Sequence, residues 1–504
     1  MKGLQSLTYW QDYFGEPRGA MLGFFNSSMS LGSLIGLFFT PYLIDWKGRK
    51  IGVAIGCTIM LMAVGLQTGA QNIGMFIAAR LILGFGDTIV LGSAPLLIAE
   101  IAHPQDRAVL VTLSGASYHS GAFIASWVTY GTLKLKVRIS SPLVLHVPLA
   151  DALQSDWSWR LPSLLQAICS LVILGFIFFM PESPRWLCNK DRHDEALAVF
   201  ARWHGEGNEH DEFVQLEYAE VRAAIALDKQ QDQSNWSDFL KTKGNRKRII
   251  IITAIGFFSQ WSGNGLISYY LKYVMDNVGL TDPQTQLGIN GGMKTLALCE
   301  NFAFAFLVDK LGRRPIYLIS TIGTFVMFNI FTIISARYDI APRAPLGKGF
   351  IVSIVSFISP PPSHAILTYN SAQFFYGIFY DIKSGIMAGY TTEILPYGLR
   401  AKGFTWLNFC VTSALFFNQF VNGIALDALQ WKYYICYCVF LAFEIGVIYF
   451  CIVETRYTPM EEIAKFFDGD DALDVGEAAL ADVKERGTGG GEKDAVVEHI
   501  EVVR

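Results

Sequence analysis

The stretch LIDWKGRK, residues 43–50, places one acid and three bases within six residues, between two long apolar segments. The segment LVDKLGRRP, residues 307–315, nearly repeats it in the second half of the chain. A second motif, an acid followed by a proline and then an arginine, comes after each: Glu100, Pro104 and Arg107, then Glu393, Pro396 and Arg400. Two motifs in the same order in both halves indicate a parallel duplication within a membrane protein.

The composition supports a membrane location. Hydrophobic residues make up 52% of the chain and charged residues only 17%, which is little polar surface for a soluble protein. The net charge of −4 gives no sign of a nucleic-acid partner. Eleven apolar runs are long enough to cross a bilayer as helices: 20–43, 51–69, 74–99, 108–130, 162–180, 249–272, 288–308, 315–335, 373–395, 402–423 and 433–452. The sequence therefore predicts an all-α membrane protein.

No motif for catalysis or metal binding accompanies these runs. The eight cysteines lie in or beside the apolar runs and lack the spacing of a zinc site. The sequence also contains no HExxH, GxSxG or Walker motif. We therefore expect no enzyme activity, no cofactor and no metal.

Basic residues collect on alternate loops, and the positive-inside rule makes that side cytoplasmic. The longest polar segment lies on the same side and separates the two halves. The predicted divisions are a transmembrane bundle at 1–180, a cytoplasmic helical linker at 181–248, a second bundle at 249–452 and a cytoplasmic tail at 453–504, disordered after about 468.

Further motifs carry a resemblance to a known family. They are ARLILGFG (79–86), WSWRLPS (157–163), PESPRWL (181–187), SQWSGNGLISYYL (259–271), EILPYGLRAKG (393–403) and VETRYTPMEEI (453–463). With the two charged turns, they make the chain similar to the sugar porter family of the major facilitator superfamily, particularly its fungal hexose/lactose-permease-like members. The resemblance implies two pseudo-symmetric six-helix bundles around a substrate cavity. This chain starts at the loop that follows the family's first helix, so we expect about 11 helices here instead of 12.

Two segments have no counterpart in the resemblance, residues 137–154 and 347–371. Both are weakly apolar and interrupted by prolines. We interpret them as retained introns in the gene model, and genuine extracellular loops are the alternative.

The charged turns are candidates for a conformational gate. Their acids are able to accept hydrogen bonds from a helix N-terminus, while their bases face carboxylates across the bundle. Such pairs would lock the cytoplasmic side while the cavity faces outward and break when it opens inward. The candidates are Asp45, Arg49, Lys50, Glu100, Arg107, Glu182 and Arg185, then Asp309, Arg313, Arg314, Glu393, Arg400 and Glu454. The alternative is that these bases set membrane topology only.

The run SQWSGNGLISYYL concentrates amides and hydroxyls at bilayer depth, where polar groups are costly unless they face a cavity or another helix. Amides suit sugars because one amide both donates to and accepts from hydroxyls. The resemblance implies that sugar binds along this span. The candidates are Gln260, Ser262, Asn264, Tyr269, Tyr270, Asn301, Trp406 and Asn408, with packing between helices as the alternative.

Ionisable residues inside the apolar runs are candidates for proton coupling. Arg80 lies where similar porters carry an arginine linked to coupling, but its usual carboxylate partner belongs to the absent first helix. Asp87 and Asp381 are the other candidates, and a local pair of Asp381 with Lys383 is the alternative for the latter.

These features together predict transport of a sugar, a hexose or a disaccharide such as lactose, by alternating access. Proton coupling is left open. The alternatives are a sugar sensor of the same fold and an inactive truncated product. We expect a monomer in the plasma membrane with a cytoplasmic C-terminus, whose partners are a small sugar, the lipid bilayer and, if transport is coupled, protons.

Overall fold

A computed structural model describes residues 8–133, 149–231, 236–276, 282–305, 312–340, 374–383, 386–396, 399–455 and 466–467. Three of the gate and substrate candidates fall outside it: Asp309 entirely, and Arg107 and Asn301 in their side chains. Residues 347–371 and most of 137–154 also lie outside the described residues, so neither interpretation of these segments is tested. Residues 149–154 are helical.

The first half contains α1 Thr8–Phe14, α2 Gly19–Lys47, α3 Arg49–Thr68, α4 Ile73–Ile101, α5 Pro104–Leu133 and α6 Leu149–Ile177. The linker contains α7 Pro184–Asn189, α8 His193–His204, α9 Glu212–Gln231 and α10 Asp238–Lys241. The second half contains α11 Lys243–Trp261, α12 Asn264–Tyr269, α13 Leu271–Asp276, α14 Pro283–Ala305, α15 Arg313–Ile340, α16 at 374–383, α17 Met387–Ile394, α18 Arg400–Leu429 and α19 Tyr433–Cys451.

Every predicted apolar span overlaps a helix, which confirms the all-α fold. Seven stretches of the described residues are long and apolar enough to cross a membrane, by length and composition. The last of them joins the predicted spans 402–423 and 433–452. The predicted spans 108–130, 288–308 and 373–395 are helical in their described residues but are not among the seven.

Large apolar side chains on the outer helix faces remain exposed, including Phe38, Phe39 and Phe450 at 60%, 58% and 83%. Such a surface requires a lipid environment or a partner, because soluble monomers rarely expose contiguous apolar area of this kind. The exposure therefore agrees with a chain that spans the membrane.

The helices pack within each half and then across the two halves. In the first half α2 and α3 both pack on α4, and in the second half α11 packs on α18 and α15 on α19. Between the halves, α2 contacts α18 and α5 contacts α14. These contacts leave a cavity between α2, α4 and α18.

The N-terminal residues before α2 differ from the prediction of a loop, because residues 8–14 form α1. Trp10 is fully buried against Phe25, with ring centroids 5.1 Å apart, and Phe14 packs on Phe76 at 5.4 Å. Burial of these aromatic rings stabilises the short helix, which is too short to persist alone.

Candidate transport site

A cavity of about 840 Å³ lies between the two halves. We call the end of the molecule that carries the Gly48 and Gly312 turns the motif end. The cavity reaches this end, because Asp45 lines it and 73% of the Asp45 side chain is exposed. Its lining combines apolar residues with the polar groups Asn26, Ser30, Arg80, Asp87, Tyr118, Gln166, Tyr269, Asn408 and Gln419.

At the other end the halves touch. Ser30 of α2 donates a hydrogen bond to the Gln419 amide oxygen of α18 at 2.6 Å. The two backbones come so close that a Cβ added to Gly423 would lie 2.7 Å from the Cα of Gly23. The Tyr273 hydroxyl also donates to the Pro17 carbonyl at 3.1 Å. The described structure is therefore closed at this end and open at the motif end.

Of the predicted substrate residues, Tyr269 and Asn408 line the cavity. Asn408 makes no hydrogen bond to any other described residue, so its amide is available to a ligand.

The other described candidates do not line the cavity. Ser262 and Tyr270 are fully buried among protein groups. The Trp406 indole donates to Thr253, and Asn264 lines a separate small pocket beside Asp381. Gln260 donates to its neighbour Ser259 at 3.2 Å. In the described state these five residues are not among the lining residues of the cavity, and their role in sugar binding stays a prediction.

A break in the helix explains the difference. The helix stops at Trp261 and resumes at Asn264, with Gly263 between them in the left-handed region at φ 96°. Only glycine adopts this conformation without strain. The break turns residues 259–264 towards other helices of the second half.

Side chains from α16 and α18 satisfy the carbonyl groups that the break leaves without helical partners. The Tyr376 hydroxyl donates to the Ser262 carbonyl at 2.8 Å, and the Asn418 amide donates to the Gln260 carbonyl at 2.6 Å. The Tyr380 hydroxyl bonds to the Ser259 carbonyl. A break at membrane depth is tolerated when neighbouring side chains provide these bonds.

The polar cavity residues Asn26, Gln166 and Gln419 are not among the residues predicted from the sequence. Their one signal is an amide inside an apolar run, which Asn418 and Asn422 show equally. Those two residues instead accept hydrogen bonds from Tyr437. The sequence alone does not distinguish the two faces of the helix.

Two proton-coupling candidates, Arg80 and Asp87, line the cavity, and they form no hydrogen bond or ion pair with each other. The Arg80 guanidinium lies over the Phe25 ring, 4.5 Å from its centroid. Asp381 instead lines the small pocket that also contains Lys294 and Glu300.

Lys383 pairs with Glu444 of α19 and not with Asp381. Its Nζ lies 2.6 Å from the Glu444 carboxylate, and the side chains are 5% and 0% exposed. The alternative of a local pair facing water is therefore wrong, because the partner lies 61 residues away in the core of the second half.

The first-half gate candidates form one cluster at the motif end. The Glu182 carboxylate accepts the backbone N–H groups of Arg49 and Lys50 at 2.9 and 3.1 Å, which caps the N-terminus of α3. The Arg49 guanidinium donates to Glu100 at 3.1 Å. This arrangement joins the start of α3 to the end of α4 and to the segment after α6.

The second half repeats the cluster in the same geometry. The Glu454 carboxylate accepts the backbone N–H groups of Arg313 and Arg314 at 2.9 and 3.1 Å. The Arg313 guanidinium donates to Glu393 at 3.0 Å. Lys50 and Arg314 also correspond, since each donates to a backbone carbonyl, of Phe178 and Tyr449 respectively.

Two details of the gate prediction need correction. Glu182, and not Asp45, caps the helix N-terminus, because Asp45 lies in the exposed last turn of α2, 3.6 Å from Arg49. Arg185 is exposed on α7 and makes no hydrogen bond to Glu100 or Glu182. The second-half candidate Arg400 donates to the Leu395 carbonyl at 3.1 Å.

Each cluster lies within one half. Both clusters are intact although the cavity is open at the motif end, so these pairs do not break in this state. The expectation that these pairs break when the cavity opens at their own end therefore differs from the described state.

Comparisons with known proteins agree with this architecture. The Sugar (and other) transporter family matches residues 9–467. The chain is 26% identical to the high-affinity glucose transporter of Kluyveromyces lactis over 92% of this chain and 80% of the relative. It is 25% identical to the MFS glucose transporter mfs1 of Aspergillus flavus over 93% of this chain and 86% of the relative.

Among solved structures, the inward open conformation of the xylose transporter XylE from E. coli has a TM-score of 0.68. The identity is 18%, with 92% of this chain and 95% of that chain covered, so this likeness concerns the fold. With the match over residues 9–467 and the duplicated clusters on two helical halves, the chain belongs to the Sugar (and other) transporter family, with the major facilitator fold.

Proposed function

We propose that the chain carries a sugar across the membrane by alternating access of the central cavity. The observation that carries the proposal is the cavity itself, which both halves line with amide and hydroxyl groups beside apolar side chains. Its volume of about 840 Å³ falls in the usual range for small-molecule sites, roughly 300–1,000 Å³. Amides on both sides are able to donate to and accept from sugar hydroxyls.

The names of the relatives support a monosaccharide as the first substrate to test. One relative is a glucose transporter and the structural neighbour is a xylose transporter. The cavity volume also accommodates a disaccharide such as lactose, so the test includes both classes.

The motif end is proposed to be cytoplasmic, in a plasma membrane, with the C-terminal tail on the same side. The support is the concentration of bases at that end, at Arg49, Lys50, Arg313 and Arg314, which the positive-inside rule places in the cytoplasm. The described state is then open to the cytoplasm.

The experiment is sugar exchange in proteoliposomes that contain the purified chain. Vesicles preloaded with unlabelled glucose, xylose or lactose are given the radiolabelled sugar, and its entry is followed. Exchange of at least one sugar supports a transporter. Binding to the purified protein without exchange would instead indicate a sensor, and the absence of both would refute a sugar site.

Replacement of Asn408 with alanine is expected to raise the sugar dissociation constant about 5- to 150-fold, because sugar hydroxyls lose a partner worth roughly 1–3 kcal/mol. Equilibrium binding to the purified protein measures this. The matched control is Asn329→Ala, since the Asn329 amide bonds to the Phe325 carbonyl of its own helix. Equal affinity in the two variants would contradict a role for Asn408.

We also propose that transport is coupled to protons through Asp87, with Arg80 as the nearby cation of the same cavity. Asp87→Asn is expected to abolish accumulation of sugar in response to an imposed pH gradient, because the amide takes up no proton at these pH values. Exchange without a gradient should persist. Retained accumulation in Asp87→Asn would rule out Asp87 as the coupling group.

A further inference from the structure

The second half contains a buried ionic cluster that the proposed transport cycle does not yet use. Lys383 of α16 donates to the Glu444 carboxylate of α19 at 2.6 Å and to the Ser262 hydroxyl oxygen at 2.7 Å. The Ser262 hydroxyl lies 2.7 Å from the other Glu444 oxygen and also contacts the Phe258 carbonyl, so these two acceptors share its one proton. All three residues are at least nine-tenths buried, at 4%, 0% and 0% exposure. We call Ser262, Lys383 and Glu444 the triad.

The triad lies at the helix break. Ser262 is the residue directly after α11, and Gly263 starts the turn into α12. The last carbonyl groups of a helix carry partial negative charge, so the Lys383 ammonium is favourably placed there. Glu444 balances this charge and fixes the Ser262 hydroxyl. A membrane-embedded ion pair is costly to keep, and such pairs often mark functional positions.

The break determines where the cavity residue Tyr269 lies. The segment α12 is only six residues long and begins at the break. Tyr269 lines the cavity at the end of this segment, and the hydroxyl of the following Tyr270 bonds to the Gln419 carbonyl on the cavity helix α18. The next segment, α13, contains Tyr273, whose hydroxyl bonds to the Pro17 carbonyl at the closed end, so the break connects to a contact that closes this end.

We propose that Lys383 and Glu444 are positioning residues for transport: with Ser262 they hold the break between α11 and α12 and so set the direction of α12 and α13 against the cavity. The triad does not contact the cavity, and it acts through Ser262 on Tyr269. The helix geometry supports the positioning role of these residues. Its expected effect on transport rests on the proposed function.

The least disruptive test is Ser262→Ala, which removes the hydroxyl held by both charged residues. The matched control is Ser93→Ala, because Ser93 is equally buried but its hydroxyl donates within its own helix, to the Ile89 carbonyl. Sugar exchange should fall about tenfold in Ser262→Ala while sugar binding changes much less, because the conformational step is affected. Ser93→Ala should behave as the unsubstituted chain.

The double variant Lys383→Met/Glu444→Leu distinguishes positioning from simple stabilisation. Removing one charge leaves the other buried without its partner, whereas removing both avoids that cost and should preserve folding. We expect the double variant to fold, with an unchanged melting temperature or a higher one, and to exchange sugar about tenfold more slowly. Normal exchange in a folded double variant would overturn the proposal.

A readout that needs no sugar separates this inference from the proposed function. Spin labels at Lys272→Cys on α13 and Leu429→Cys at the end of α18 report the direction of α13, in a background where the exposed cysteines are serine. Ser262→Ala and the double variant should shift or broaden the distance distribution, and Ser93→Ala should not. Distributions identical to that of the unsubstituted background would overturn the inference, even if the chain transports no sugar.

Discussion

Gly48→Ala is expected to lose most transport activity and about 2–4 kcal/mol of stability, from backbone strain and a lost helix cap. Gly48 has φ 96° and ψ 166°, a region that is open essentially to glycine alone. A Cβ there would also lie 2.3 Å from a Glu182 carboxylate oxygen. The substitution therefore strains the turn and displaces the carboxylate that caps α3.

The second half supplies an internal comparison for this prediction. Gly312 has φ 87°, but its added Cβ would lie 2.8 Å from Glu454, so Gly312→Ala should be less damaging than Gly48→Ala. Gly65→Ala is the control, because that position in α3 has no atom within 4 Å of the added Cβ. Melting temperature and exchange at equal protein amount measure the order. A Gly48→Ala chain as stable as Gly65→Ala would show that the turn tolerates a side chain.

The sequence predicted the duplicated turns because their pattern is local. A glycine followed by two bases at the start of an apolar run specifies both the turn and the first residues of α3 and α15. The acid that caps each helix was harder to assign. Glu182 comes 133 residues after Arg49, whereas Asp45 lies one helical turn before it, so the local pattern favours Asp45.

Which side chains of α11 and α12 face the cavity was not predictable for a similar reason. The pattern of SQWSGNG shows polar groups and glycines, but a break at Gly263 changes which way each side chain points. The groups that stabilise the break, Tyr376, Tyr380 and Asn418, lie more than one hundred residues away. Helical periodicity identifies the residues that face the cavity only where the helix is unbroken.

The two charged clusters predict different losses of stability when their arginines are replaced. Arg49 and Glu100 are 12% and 11% exposed, whereas Arg313 and Glu393 are 20% and 24% exposed. Breaking a buried pair is strongly destabilising because one charge stays behind without its partner. We expect Arg49→Ala to lower the free energy of unfolding by about 3–5 kcal/mol, and Arg313→Ala to lower it less, since water screens its pair more.

The double variant Arg49→Met/Glu100→Leu then distinguishes a cluster that only stabilises the first half (a brace) from one that also controls the conformational change (a gate). If the cluster only braces the first half, removing both charges should restore stability and exchange together. We propose that it also biases the equilibrium between the two cavity states, so stability should recover while exchange stays about tenfold below that of the unsubstituted chain. Sugar affinity should change little, because neither residue lines the cavity. A folded double variant that loses binding and exchange in equal measure would exclude a gate, since an effect on the conformational step alone leaves the binding site intact.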